Sequence, residues 1–374
     1  MTAVQAARDP REELDAIATA TEPGGSFDPK ALQLIADAGL NAVSAPKEIG
    51  GADLPLAEAA EVWAELAYAD GSIGWCSFAA DTVLAYFGAY LPAEGIEILL
   101  ADHADGSLPV CGGQFAPNGT AELVGDHWVL DGDYQFGSGI LLAEFAGAGF
   151  FANRPGVDPE YRMGFLPQSE IEPRGNWDVL GLRATQSIDY GVRGVSVPEV
   201  CAFDFFAPTV HRGSAKHYLG VIPMTAAGHA GWALGVARRM LDELIELART
   251  KVRMGAMNSL ADSEHFQISL ARLESRHRAA RAWVAEACTQ AEAECESRGD
   301  FISDATANVL RQACVHANRD SVELAHEAYS LAGTSALREG PLQRCFRDLH
   351  AGGQHYFASD LPSVDFAKGL LAAE

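Results

Sequence analysis

A change of period along the chain predicts an α+β protein: helices first, then a β unit, then a longer helical bundle. Three stretches carry that reading. Ala57 to Ala69 places Val62, Trp63 and Leu66 on one helical face. From Leu108 to about Pro208 apolar residues alternate, and Gly, Pro and aromatic residues become frequent. Phe266, Leu270, Leu273, His277, Ala280, Val284 and Ala287 follow the 4-3 spacing of a helix buried in a bundle. The expected divisions are residues 1–107 (helical), 108–210 (β) and 211–374 (helical bundle).

In the first unit a polar start gives way to a short helix from Ala31 to Gly39, a glycine-rich loop from Pro46 to Leu54, and the helix from Ala57. Asp70-Gly71-Ser72-Ile73-Gly74-Trp75 then interrupts the pattern with small residues and ends on a large aromatic, read either as core or as the wall of a pocket. In the central unit Gly125-Asp126 is a hairpin turn between Ala121–Val124 and Trp128–Leu130. Gly132-Asp133 punctuates the next strand, and strands follow at Gly147–Asn153, Arg162–Pro167 and Tyr190–Pro198. An Asn-Gly-Thr sequon at Asn118 reads as a turn. Long helices begin at Tyr218; one ends within Thr250–Gly255, and another runs from Ala305 to Leu331. Gly333, Thr334 and Ser335 break the pattern before Pro341 starts a new helix.

Composition narrows the functional classes. A chain of 374 residues with 48% hydrophobic content buries a substantial core, and a net charge of −24 repels nucleic-acid phosphates and anionic lipid. No apolar run reaches the ~18 residues of a membrane span, and no secretory segment opens the chain, so a cytoplasmic location is expected. The seven cysteines (Cys76, Cys111, Cys201, Cys288, Cys295, Cys314, Cys345) lack the spacing of a zinc site or a disulfide framework. No GxGxxG, Walker or GxSxG string occurs, which argues against direct NAD(P)H binding and against hydrolysis.

The candidate site residues fall on three stretches. In Phe136-Gly137-Ser138-Gly139 a hydroxyl between glycines either donates to a ligand edge or marks a strand-end turn. In Trp177 to Ser187 (WDVLGLRATQS), Arg183 and Thr185 share a side if the segment is extended, with Ser187 beyond them. From Tyr329 to Tyr356, Arg344 and Arg347 lie three apart on one helical face, and His355 follows Gly352 and Gly353, which leave room for a planar ligand. Arg253, at a helix end, suits an anion or ordinary dipole compensation.

These strings occur in an order that resembles the acyl-CoA dehydrogenase fold family. Within it they are most similar to the flavin-dependent two-component (group D) monooxygenases, the group of p-hydroxyphenylacetate hydroxylase oxygenase components and dibenzothiophene monooxygenase. The resemblance rests on Pro46-Lys47-Glu48-Ile49-Gly50-Gly51, Gly71 to Trp75, Ser138-Gly139, Trp177 to Ser187 with Val197-Pro198, and Pro341 to His355. It implies an N-terminal helical domain, a β-barrel-like central domain and a C-terminal four-helix bundle, assembled as a homotetramer. Acyl-CoA dehydrogenases place a catalytic carboxylate shortly after the Arg-Asp pair or before the long bundle helix. Here those places read Gln354-His355-Tyr356-Phe357 and, over Ile222 to Gly228, IPMTAAG, without Asp or Glu.

By resemblance the chain is therefore an oxygenase that receives reduced FMN or FAD from a separate reductase. It uses O2, through a flavin C4a-hydroperoxide, to hydroxylate a small aromatic substrate. His355 would exchange a proton with oxygen or substrate near its ordinary pKa of about 6.5. Ser138 would bond the flavin edge and share in catalysis, and Trp177 would pack beside the ring. Arg183, Thr185 and Ser187 would hold the flavin, Arg253 its phosphate, and Arg347 a phosphate or an interface; Trp75 and Tyr356 would face substrate. The alternative is a desaturating, acyl-CoA dehydrogenase-like flavoprotein acting on a thioester.

Overall fold

Among the described residues six α-helices precede the sheet: α1 (Ala3–Arg8), α2 (Arg11–Thr21), α3 (Pro29–Asp37), α4 (Leu56–Ala69), α5 (Gly71–Tyr90) and α6 (Ala93–Leu99). The structure, a computed structural model, describes residues 2–25 and 28–372. Asp70 ends α4 in an extended conformation and accepts from the N–H groups of Ser72 and Ile73 at 2.9 and 3.0 Å. That is the geometry of an N-cap, so the run expected to interrupt the helical pattern instead opens α5. The small residues serve packing: a Cβ on Gly74 would collide with Ala67, so the two helices touch backbone to backbone. Because α5 is apolar on every side, it is buried along nearly its whole length.

The central unit is one seven-stranded mixed sheet in the order β5-β6-β2-β1-β3-β4-β7. Its strands are β1 (Cys111–Val124), β2 (His127–Gly137), β3 (Phe145–Arg154), β4 (Val157–Pro167), β5 (Glu172–Gly175), β6 (Ile188–Pro198) and β7 (Ala202–Asp204). β1 and β2 form the expected hairpin through Gly125, whose φ of +67° suits a residue without a Cβ. Asn118 is not in a turn: it lies inside β1, where the register against parallel β3 shifts between Gln114 and Gly119. β2 pairs antiparallel with β6, and the ladder ends at Gly137 opposite Ile188. That register sets Ser138 and Ser187, each one residue beyond the ladder, side by side.

The bundle comprises α7 (Val221–Thr250), α8 (Glu264–Arg298), α9 (Asp304–Ala332), α10 (Pro341–Gly352) and α11 (Leu361–Ala372). The 4-3 stripe on α8 is buried as its spacing requires, with Leu270 only partly covered, and the His277 ring bonds the Leu234 carbonyl at 3.0 Å. Gly231 and Gly235 share one face of α7, and a Cβ on either would strike the carbonyls of Ala60 or Ala64. α4 can therefore lie directly on α7, and the N-terminal helices share a core with the bundle. No described helix is long and apolar enough to cross a membrane.

Candidate active site

Where β2 and β6 end, three hydroxyls form a chain. The Trp75 Nε1–H donates to Ser138 Oγ at 2.9 Å; Ser138 and Ser187 are 2.8 Å apart, Ser187 and Thr185 2.7 Å, and Thr185 donates to the Leu182 carbonyl at 2.8 Å. The two ends fix its direction. Leu182 can only accept, so Thr185 gives its proton there and accepts from Ser187, which in turn accepts from Ser138. Ser138 thus spends its proton inward and faces outward with a lone pair, an acceptor rather than the donor expected from its glycine-flanked setting.

The backbone around this chain is held in unusual conformations. Among the described residues five non-glycine residues have positive φ, and four of them lie here: Phe136 at the end of β2, and Asn176, Leu182 and Gln186 on the segment between β5 and β6. Each costs of order 1–3 kcal/mol, and such strain persists where surrounding structure enforces it. Arg183 and Thr185 do not share a side of an extended segment, because Arg183–Thr185 is a single 3-10 turn. Thr185 turns into the hydroxyl chain and is buried, whereas Arg183 remains partly exposed. Trp177 donates to the Leu182 carbonyl at 3.1 Å and meets the exposed ring of Phe136 edge to face at 6.3 Å.

Behind the turn lies a buried acidic pair. Asp348, on α10, accepts the Leu182 N–H at 2.6 Å, and Asp70 stands close enough to be felt electrostatically. Burial, then Asp70, raises Asp348 to about 7; burial also raises Asp70, against the pull of Arg344, whose Nε lies 3.2 Å from it. Arg344 further reaches Asp15 at 2.7 Å and Thr19 at 3.1 Å, and Arg347 binds Glu22 at 2.7 Å and the Leu180 carbonyl at 3.1 Å. Both arginines thus have ion-pair partners within the chain, and the Arg347 partner is Glu22 of the N-terminal helices.

Around Trp75, α5 and the bundle together contribute an aromatic cluster. Rings of Phe78, His229, Trp232 and His355 surround Trp75 at centroid distances of 5.5, 4.8, 4.9 and 5.6 Å. His355 accepts the Phe357 N–H on Nδ1 at 3.4 Å, so its neutral ring carries the proton on Nε2. Burial drives it down to about 4, which makes it a neutral donor near pH 7 and not the half-titrated group its ordinary pKa suggested. Trp75 is at once packed in this cluster and bonded to Ser138, so the two readings of it, core and wall, coincide.

The sequence-derived residues therefore divide. Trp75, Ser138, Thr185, Ser187 and His355 converge, with Trp177 and Arg183 on the adjoining turn. Arg253 stands apart: its Nη2 donates to the Leu331 carbonyl at 2.8 Å at the end of α9, beside Lys251. Tyr356 is 47% exposed on the turn that carries His355. His229, Asp70 and Asp348 were passed over as site residues. His229 follows directly on the Ile222–Gly228 stretch that lacks a carboxylate, and its signal in the sequence is a His and a Trp three apart on an otherwise small-residue helix. Two water-sized pockets between α4, α7 and α8, lined by Glu61, Leu234 and Arg281 among others, are not part of this site.

Residues 4–91 match the family model for the N-terminal domain of acyl-CoA dehydrogenases and residues 227–360 the model for a C-terminal domain of the same enzymes. The chain is 31% identical to indole-3-acetate monooxygenase of Pseudomonas putida over 325 residues, 84% of this chain and 80% of that one. It is 27% identical to the oxygenase component of p-hydroxyphenylacetate 3-hydroxylase of Acinetobacter baumannii over 359 residues, 92% and 82% of the two chains. XiaF from Streptomyces sp., solved with FADH2 and glycerol, superposes with a TM-score of 0.88 at 19% identity, over 100% of this chain and 95% of that one. The chain belongs to the acyl-CoA dehydrogenase family, in its branch of flavin-dependent monooxygenases.

Proposed function

We propose that the protein is the oxygenase component of a two-component flavin-dependent monooxygenase, taking reduced FMN or FAD from a separate reductase and hydroxylating a small aromatic substrate with O2. The observation that carries this reading is Ser138. It presents a lone pair at the head of a one-way hydroxyl chain, against Trp75, whose ring neighbours include the two histidines. The residues fit a planar tricyclic ring: an acceptor for a ring N–H, glycines on both sides of it, and the exposed apolar side chains of Phe136 and Leu180 beside it. Ser138 would bind the ring edge, with Ser187 and Thr185 behind it fixing its polarity, and Trp177 and Arg183 would lie along the flank.

Bound reduced flavin supplies the electrons that activate O2 for hydroxylation. The chain's own part is to orient and to exclude water. The rings of Trp75, Phe78, Trp232 and Phe357 keep the reacting region dry, which strengthens each remaining polar contact. The His355 Nε2–H is the positioned donor. The absence of a carboxylate from the cluster speaks against the desaturase alternative, since proton abstraction beside a thioester would lack a base.

The test is anaerobic titration with reduced and oxidised FMN and FAD, followed by aeration with aromatic substrates and assay of hydroxylated product against released hydrogen peroxide. Tight binding of reduced flavin with coupled hydroxylation is expected. Reduction of bound flavin by acyl-CoA thioesters would replace this reading with the desaturase. A homotetrameric assembly and a cytoplasmic location belong to the same reading. The assembly is supported by exposed apolar side chains on α11 (Leu361, Val364, Leu370, Leu371) and on the 252–257 segment (Val252, Met254, Met257). An active, flavin-binding monomer in sedimentation would reject it.

A further inference from the structure

His229 is the one polar side chain in the aromatic cluster whose chemistry no neighbour uses. It stands on α7, is 2% exposed, and its Nδ1 is fully buried without a hydrogen-bond partner among the described residues. Four rings enclose it: Trp75 at 4.8 Å, Phe78 at 4.8 Å, Phe357 at 5.1 Å, and His355 stacked at 4.1 Å with the planes 29° apart. Leaving a buried polar atom unpaired carries its full desolvation cost, and a leucine of similar size would avoid that cost. His277 on α8 shows how a structural histidine is treated in the same bundle: equally buried, it bonds the Leu234 carbonyl.

Charge cannot explain the residue either. Burial, and then His355, pushes the His229 ring far below its ordinary pKa, so it is neutral and keeps one nitrogen as an acceptor. His355 beside it has its proton fixed on Nε2 by the Phe357 N–H. The stacked pair therefore supplies one defined donor and one unused ring nitrogen, in walls made of aromatic rings and without a cation to balance an anion.

Building on the oxygenase reading above, we propose that His229 is a specificity-determining residue that accepts a hydrogen bond from the substrate, selecting neutral aromatic molecules that carry a ring N–H or a phenolic O–H. The two ligand types share the donor that matters, and the dry aromatic walls favour them over ionised forms.

The test compares shape-matched ligands that differ in that donor: indole against benzofuran, and phenol against fluorobenzene, titrated by calorimetry into the protein with and without FMN. Indole and phenol are expected to bind about tenfold more tightly than their partners, as loss of one buried hydrogen bond implies. His229→Phe should bring each pair within about twofold, whereas His229→Asn, which keeps an acceptor, should retain part of the preference. Preference within only one pair assigns the site to N–H or to O–H donors. Equal binding within both pairs in the wild-type protein overturns the proposal without recourse to any variant, as does a preference that His229→Phe leaves intact. FMN binding, followed separately by flavin fluorescence, distinguishes the two levels: flavin bound with both pairs equal removes His229 alone, and loss of flavin and aromatic binding together removes the oxygenase reading as well.

Discussion

Asp348 and Leu182 are 166 residues apart in the chain and joined by a 2.6 Å hydrogen bond, a carboxylate of the bundle accepting the N–H of a left-handed residue in the β unit. The carbonyl of that same Leu182 receives Trp177 and Thr185. The Arg-Asp pair on α10 thus acts on the site through a backbone turn, as a positioning element. Asp348→Ala should lower stability by about 1–3 kcal/mol and weaken flavin binding, whereas Asp348→Asn, which keeps the acceptor and the shape, should preserve both. Thermal melts and flavin titrations on the two variants decide; equal damage from both would assign the effect to the charge instead.

The same residue gives a pH dependence. A carboxyl raised to about 7 on folding binds its proton more tightly in the native state, so its contribution is present at acid pH and is lost as pH rises from about 4 towards 7. The difference in stability between wild type and Asp348→Asn should shift across that window in favour of the variant. A difference that stays flat from pH 4 to 8 would show that Asp348 ionises like an exposed carboxyl.

For His355 the sign is opposite. A histidine depressed to about 4 resists protonation, so it destabilises the fold as pH falls from about 6.5 towards 4. Above that range the ring is a constant neutral donor, and coupling of flavin oxidation to hydroxylation should be level between about pH 6 and 8. His355→Asn should keep the fold and flavin binding but release more hydrogen peroxide per product, by about 10-fold or more, as expected for a lost positioned donor. A variant that melts early but couples normally would make the ring a packing residue.

The hydroxyl chain predicts an effect of a residue that points away from the ligand. Ser187→Ala breaks the chain, so Ser138 is free to turn its proton outward and donate. Ser138→Ala should weaken reduced flavin by roughly tenfold, whereas Ser187→Ala should narrow the preference for reduced over oxidised flavin. Dissociation constants for both redox states give the answer.

Much of the fold was legible because period is a local signal. The alternation from Leu108, the hairpin at Gly125 and the stripe on α8 all follow from neighbours in sequence. Of the site, Trp75, Ser138, Thr185, Ser187 and His355 stood out because side chains with chemistry sat among glycines. What stayed hidden depends on tertiary pairing. Asp70 reads as a loop residue until its two backbone partners show a cap, and Arg347 reads as a free cation until Glu22 is found opposite it. His229 was invisible for a different reason: its significance is a bond it does not make, which only the packed environment reveals.

The chain from Trp75 to Leu182 also governs where protons can travel. A file of hydroxyls relays a proton only if its far end can pass one on, and a backbone carbonyl cannot. The Ser138 side is therefore a dead end for hydrogen ions, a row of dipoles with a frozen sense and no conductance. The β unit thus sets polarity at Ser138 without carrying protons, while on the helical side two stacked imidazoles, His229 and His355, stand against Trp75.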